Sequence, residues 1–423
     1  MHPARSCLIA LALFAGHSLA APTYAPHRPP APSLATTVVG GIRFTCPSER
    51  LATIEQAMPA YLAELDIAPS LVARQVSTAG DVASVGYALT TPMTDRSTLD
   101  FASRPEFKLR DDIVSLPAGG HARRHVRTVS RKEILLALLQ HGQLTEFTGE
   151  HCSVDALRDH VGIRQNTVAW AESLNWRWPN GGSAAWNKRY WKRGTPVKGH
   201  PLHEAIADIF IHQNRYAIGC YTATKIVMLQ GVLDYYARVR RTPAMVRRIE
   251  ARLTTDHEPL ENVEPGRMWD FEPDFDAHEA TRPGKLLAIQ YGVAPYHFIP
   301  GDWIYLLNTD PVSYQKTGYE GSNAIYLGRG RFDDYYNDNN HSYTFAEKLD
   351  EVHQWRNGVF SRSRDAAKIR PLNAQQLAAL TLPPAQGGLL LDLRVAPYLF
   401  TQETGTATYD TRAPSAAIEL SPK

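Results

Sequence analysis

The stretch Tyr216-Ala217-Ile218-Gly219-Cys220-Tyr221-Thr222-Ala223-Thr224-Lys225-Ile226-Val227-Met228-Leu229-Gln230-Gly231-Val232-Leu233-Asp234 decides how this chain is read. It opens as a short extended approach, turns at a glycine and runs on as a long helix. Thr222 and Thr224 offer hydroxyls for the first turn. Ile226, Leu229, Val232, Leu233 and Tyr236 recur at helical spacing, and Val227 and Met228 widen the stripe, so most of the helix is expected to be buried. Cys220 then stands at or just before the N-terminus of a buried helix. Unpaired N–H groups and the positive end of the helix dipole favour negative charge there, and the thiolate is the form of sulfur that attacks. On the residues alone two readings stay open: a nucleophile, or a small buried hydrophobe that begins a core helix.

Upstream, Pro201 to His212 reads as an amphipathic helix leading to the cysteine. Its His203-Glu204 has no second His at helical ligand spacing, so no metal site is expected. Before it, the aromatic segment from Trp176 to Trp191 either lines a groove for peptide or sugar or covers a core. Downstream, Arg238 to Arg248 is basic and helical, and residues 255–285 are acidic, Pro-containing and irregular. Residues 297–308 read as a turn feeding a strand, 322–336 as two strands joined at Gly328-Arg329-Gly330, and 345–355 as a helix. From 361 onward the chain is polar and rich in Pro and Ala, with periodicity confined to 373–382, and an irregular wrap or loose tail is expected.

The chain begins with a polar start at His2 and Arg5, an apolar run from Cys7 to Ala15 and the small residues Ser18-Leu19-Ala20, the pattern of a secretory signal over residues 1–20. The run is too short to span a bilayer, and no integral membrane segment is expected after cleavage. The mature protein is accordingly expected to be exported, to the periplasm or beyond. Export would leave Cys46, Cys152 and Cys220; the first two lie in loop-like settings that suit a bridge, with three reduced thiols as the alternative. Residues 21–36, with Pro22, Pro26, Pro29, Pro30 and Pro32, form a stiff linker. The chain holds 45 Lys and Arg against 43 Asp and Glu, a charge of +2, which argues against a nucleic-acid partner. The basic run from His121 to Arg127 reads as a solvated face. Helices are expected at 48–66, 131–141 and 153–171, so 37–165 is taken as a mainly helical N-terminal region, followed by a core over 166–360 and an extension over 361–423.

A helix headed by Cys, followed by an antiparallel sheet with Pro300-Gly301-Asp302 before one strand and Ile325-Tyr326-Leu327-Gly328 in another, resembles the papain-like superfamily. Within it the chain resembles the bacterial spore-coat-type protein-glutamine gamma-glutamyltransferases. The resemblance rests on Ala205-Ile206 with Asp208-Ile209-Phe210, Tyr216-Ala217 with Cys220 and Thr222-Ala223, and Val232-Leu233-Asp234. It continues through Tyr305 with Asn308, Gly321 with Asn323, and Gly330 with Tyr335-Tyr336. It covers roughly Trp186 to Trp355 and implies an α+β fold, a papain-like core with a Cys-bearing helix packed on an antiparallel sheet. Cell-wall endopeptidases share the Pro-Gly-Asp and Tyr-Leu-Gly strands.

The chain departs from both patterns. Ser322 stands where the transferases carry Glu and the endopeptidases His, and Gly219 stands where the transferases carry Glu. The transferases' His after the paired tyrosines falls a few residues late, at His341. Side chains two apart on a strand share a face, which makes Glu320 the substitute carboxylate; His341 is the candidate proton carrier and Asp338 a second one. What the resemblance implies is a Cys220 thioester formed with a protein glutamine and passed to a lysine amine. No metal or organic cofactor is needed. The other classes kept open are a peptidase or amidase using the same cysteine, and an inactive papain-like binding protein.

Overall fold

The computed structural model describes residues 40–79, 82–90, 98–140, 144–179, 184–253, 287–291, 297–333, 335–337, 342–361, 365–382, 387–389 and 393–397. The expected signal and Pro-rich arm, the acidic stretch 255–285, and Asp338 and His341 lie outside the described residues.

The N-terminal part begins with β1 (Gly41–Cys46), α1 (Ser48–Glu64), β2 (Val72–Ala79), β3 (Val82–Leu89), β4 (Asp112–Pro117), β5 (Arg123–Thr128), α2 (Arg131–Leu139) and β6 (Leu144–Thr148). Alternation makes the strands: Ile42, Phe44 and Cys46 of β1 are buried with half-buried Arg43 and Thr45 between, and Val85 and Tyr87 of β3 are buried either side of half-buried Gly86. They pair antiparallel, β6 joins β1 in parallel, and the sheet is ordered β2-β3-β1-β6 with α1 and α2 packed on it. The three expected helices are therefore present, but the region is mixed α+β rather than mainly helical. Its sheet depends on the parallel β1–β6 pairing, between segments far apart in sequence, which local periodicity does not reveal. Cys46, ending β1, forms a disulfide with Cys152, just before α3 (Val154–Glu172). The Ser153 hydroxyl caps that helix, accepting from Ala156 N–H at 3.1 Å.

β7 (Trp191–Lys192) and β8 (Thr195–Pro196) form a small ribbon ahead of α4 (Leu202–Ile211), α5 (Cys220–Asp234) and α6 (Pro243–Leu253). The basic helix expected from Arg238 starts at Pro243, because the chain leaves α5 through a wide π turn over Tyr235–Val239. The remaining strands are β9 (Leu287–Tyr291), β10 (Trp303–Leu307), β11 (Gly321–Gly328), β12 (Arg331–Asp333) and β13 (Ser342–Thr344). They are followed by α7 (Phe345–Arg356), α8 (Ala374–Leu380) and β14 (Leu393–Pro397). The sheet runs β13-β12-β11-β10-β14-β9 with every pairing antiparallel. The segment expected as an irregular tail thus supplies α8 and an inserted strand; five residues ending in Pro are too short to signal one. Trp176, Trp178 and Trp191 are buried, and the Trp176 and Trp191 indole N–H groups donate to the Ile209 and Ala205 carbonyls, so the Trp-rich segment covers a core.

Helix α3 is the centre of this arrangement, and the boundary expected at 165/166 falls inside it. On one side it meets α5 so closely that a Cβ on Gly231 would lie 2.0 Å from Thr167 Oγ1; only glycine fits. Asp234 at the end of α5 accepts from Asn166 Nδ2 (3.0 Å) and Trp170 Nε1 (2.9 Å). On the other side α3 holds the turn before β10. Arg164 and Asp302 are fully buried; Arg164 Nη1 donates to Asp302 Oδ1 (2.7 Å) and to the Pro300 carbonyl (3.1 Å), and its Nε to His160 Nε2 (2.8 Å). Asp302 Oδ2 accepts from Ile299 N–H at 2.8 Å. Gly301 between them has φ +89° and touches the Arg164 backbone, where a Cβ would sit 3.2 Å from its Cα.

Asp302→Asn leaves the Arg164 charge buried without its counter-charge and is expected to lower unfolding free energy by about 3–5 kcal/mol, read as a shifted denaturant midpoint. Asp66→Asn, which breaks the solvent-facing Lys132–Asp66 pair, is the control and is expected to leave the midpoint nearly unchanged. Replacing Cys46 and Cys152 by Ser together is expected to cost about 4–5 kcal/mol in the same assay, since the bridge spans 106 residues and loop-closure entropy grows with span.

Candidate active site

The approach to Cys220 is held by Asp208 of α4, a buried carboxylate with three partners. Its Oδ2 accepts from the Tyr216 hydroxyl (2.6 Å) and from Asn187 Nδ2 (2.7 Å), and its Oδ1 lies 2.6 Å from His212 Nδ1. Burial and the neighbouring Asp208 charge push the Tyr216 acidity well away from neutral pH, so it stays a phenol donor. Ala217 exchanges backbone hydrogen bonds with Ala185 (2.8 and 3.0 Å), which keeps the approach extended. Gly219 is the N-cap of α5 in extended conformation and brings no side-chain acceptor. The first-turn N–H groups are therefore left without a side-chain cap from that residue.

Cys220 is the first residue of α5, half-buried, and the free cysteine among the described residues. Its Sγ accepts from Asn323 Nδ2 at 3.4 Å and lies 3.9 Å from the Gly321 carbonyl oxygen, both on β11. Asn323 is fixed in turn by the Trp303 indole N–H, which donates to Asn323 Oδ1 at 2.9 Å. Trp303 is paired with Ile325 across β10 and β11, two residues along from Asn323, so indole and amide share a sheet face. That face looks onto α5: the Tyr221 and Trp303 rings meet edge to face at 5.4 Å.

The paired tyrosines close on Cys220 from two directions. Tyr336 donates its hydroxyl to the Ile218 carbonyl at 2.8 Å, and the Tyr335 hydroxyl lies 3.0 Å from Thr224 Oγ1, which donates to the Cys220 carbonyl at 2.8 Å. Tyr335 adopts φ +65°, in the left-handed region a bulky residue rarely occupies. Two further bonds hold it there: its N–H donates to Asp333 Oδ1 at 3.0 Å and its carbonyl accepts from Trp176 N–H at 2.9 Å. Burial pushes the Asp333 carboxyl well above the usual carboxylate range, with the nearby Glu172 charge adding to it. Glu172, ending α3, is pushed up to about 7, again mainly by burial.

The structure places Cys220 where the sequence placed it. Glu320 immediately precedes β11; its carboxylate accepts from Gly318 N–H at 2.8 Å and its carbonyl from Asn308 N–H at 2.9 Å. Strand alternation aligns position 320 with Ser322 and Ala324, and puts Gly321, Asn323 and Ile325 on the opposite face, the one in contact with Cys220. The groups brought to the sulfur are thus Asn323 and the Gly321 carbonyl, with Trp303 behind them. Sequence reasoning had Asn323 inside a quoted motif but gave it no role; alternation from Ser322 marks its face as the other one, but not which face meets the helix.

The buried carboxyls make stability depend on pH. Glu172 keeps its proton in the folded protein between its ordinary 4.5 and about 7, where the unfolded chain has lost it. The folded state then binds more protons, and stability is expected to fall as pH rises through that window and to level off above it. Asp333 acts in the same direction. Urea midpoints against pH should show this slope, and Glu172→Gln should flatten it.

Known proteins can now be set beside this geometry. The profile of the family described as TGL: Protein-glutamine gamma-glutamyltransferase matches residues 120–338, a span that contains α3, the Cys220 helix, the β10–β11 pair and both tyrosines. No curated protein matches the chain. Among solved structures, a transglutaminase from Geobacillus stearothermophilus without its C-terminal extension is similar at 21% identity and TM-score 0.35, over 58% of this chain and 91% of that one. With a Cys-headed helix on an antiparallel sheet, and a family match spanning more than half its length, this chain belongs to the protein-glutamine gamma-glutamyltransferases, the transglutaminase-type acyltransferases.

Proposed function

We propose that the protein forms a thioester between Cys220 and the side chain of a protein glutamine and passes the acyl group to a lysine amine. The observation that carries this reading is the placement of Cys220 Sγ at the N-terminus of α5, half-exposed and held against β11. The thiolate attacks the carboxamide carbon; the C–S bond forms, the C–N bond breaks, and nitrogen leaves as ammonia after taking a proton. N–H groups of the first turn of α5 are the oxyanion donors, since they point where charge develops. The lysine amine then attacks the thioester carbon, an isopeptide bond forms and sulfur leaves. Water in place of the amine gives deamidation. His341 is proposed as the group that carries the protons, with Asp338 as a second candidate beside it; Glu320, whose carboxylate is bonded to Gly318 N–H on the strand face away from Cys220, is not assigned that role.

We assign the protein to an exported setting. The signal-like residues 1–20 support this, as does the Cys46–Cys152 disulfide, a bond favoured in oxidising compartments. No helix among the described residues is long and apolar enough to cross a membrane. The substrates are protein side chains, a glutamine donor and a lysine acceptor.

Incubated with a glutamine-bearing protein and a labelled primary amine, the protein is expected to incorporate the amine, and Cys220→Ala to abolish incorporation with the fold intact. Incorporation at the native rate by Cys220→Ala would exclude the proposal. His341→Asn is expected to lower the rate roughly a hundredfold as the loss of a proton carrier, and Glu320→Gln to leave it nearly unchanged.

A further inference from the structure

Among the described residues, Cys220 Sγ has one side-chain hydrogen-bond donor within contact, and that donor cannot titrate. Asn323 Nδ2 lies 3.4 Å from the sulfur while Asn323 Oδ1 accepts from Trp303 Nε1 at 2.9 Å. The second bond fixes the first. If the amide were turned over, its NH₂ would face the indole N–H, two donors against each other, and its oxygen would face the sulfur. Trp303 and Asn323 are both buried, Trp303 completely, and they sit on adjacent, paired strands, so the amide is held by the sheet itself. The position where the family carries a carboxylate is Ser322 in this chain and lies on the opposite strand face.

We infer that Asn323 is a catalytic residue whose side-chain N–H stabilises negative charge on Cys220 Sγ, and that Trp303 is the positioning residue that keeps that N–H turned toward the sulfur. This rests on the transferase reading of Cys220. The same donor serves twice. In the first half of the reaction it faces the thiolate that attacks the glutamine carboxamide. In the second, the amine nitrogen bonds to the acyl carbon, the C–S bond breaks, and the electron pair returns to a sulfur that Asn323 already faces. Asn323 transfers no proton; the protons of ammonia and of the lysine amine pass through other groups. The division of labour follows from chemistry: a carboxylate beside the sulfur would repel its charge, whereas an amide N–H favours it at every pH.

The test uses the full chain with Asn323→Ala, Asn323→Asp and Trp303→Phe, and two readouts that do not depend on a protein substrate. One is the rate of iodoacetamide alkylation at Cys220 at neutral pH, assigned by peptide mass spectrometry; the other is the thiolate ultraviolet absorbance relative to Cys220→Ser. Asn323→Ala is expected to slow alkylation about tenfold, the change one charge-assisted hydrogen bond supports, and to lower the absorbance. Asn323→Asp, which retains an acceptor for the indole, should slow it further. Trp303→Phe should give an intermediate loss in both readouts, which damage to packing alone would not produce in the absorbance. Folded Asn323→Ala and Asn323→Asp proteins that alkylate at the native rate would overturn the inference. Absence of amine transfer by the native protein, with the alkylation differences intact, would overturn the transferase reading and Asn323's catalytic role with it, while leaving Asn323 as the donor to the Cys220 sulfur.

Discussion

The site depends on the buried ion pair between Arg164 and Asp302. An unpartnered charge in that position would be strongly destabilising, and both groups are held by several bonds: Asp302 uses both oxygens, and Arg164 Nη1 and Nε also reach a backbone carbonyl and His160. The pair fixes the turn that launches β10, and β10 fixes β11 by continuous pairing from Trp303↔Ile325 to Leu307↔Gly321. One turn further along α3, Thr167 receives Gly231 of α5, and Asn166 and Trp170 bind Asp234. Nucleophile and facing amide are thus hung from the same helix. The 3.4 Å between Cys220 and Asn323 thus rests on α3 as well as on the contacts made at the site, Trp303 with Asn323 and with Tyr221.

The family match begins at residue 120 and so takes in α2 and α3 as well as the Cys220 helix and the β10–β11 pair. The N-terminal sheet is joined to the rest by further polar ties. Arg329, in the turn after β11, donates to the buried Glu133 of α2 at 3.0 Å and pairs with Asp111 at 2.7 Å, and the Tyr326 hydroxyl donates to the Thr98 carbonyl at 3.0 Å. The buried core is one continuous cluster from Ile42 to Leu389. The N-terminal region belongs to the same packed body as the site.

Much of this was legible in the sequence because it is local. The stripe from Ile226 to Tyr236, the helices expected at 48–66 and 153–171 and the Gly328-Arg329-Gly330 turn each declare themselves within a short stretch of chain. What was not legible is pairing at long range. The N-terminal sheet needs β1 to find β6 across α1, four strands and α2, and β14 enters between β10 and β9 from far downstream. The contact of Asn323 with Cys220 was hidden for a related reason. Period two divides a strand into two faces, but which face meets the Cys helix is settled by where the sheet lies on α3, which no strand-local pattern contains.

Position 335 carries a last consequence of the clamp around Cys220. Its backbone is one that glycine adopts freely, and a tyrosine there costs about 1–2 kcal/mol in conformational preference. Its phenol nonetheless reaches Thr224 and, through it, the Cys220 carbonyl, while the residue after it holds Ile218. Local comfort and distant reach are thus opposed at a single residue. A lineage drifting toward Gly or Asn at 335 would gain ease in the turn and loosen the ring of contacts around the thiol. In such descendants the chemistry would weaken before the fold did.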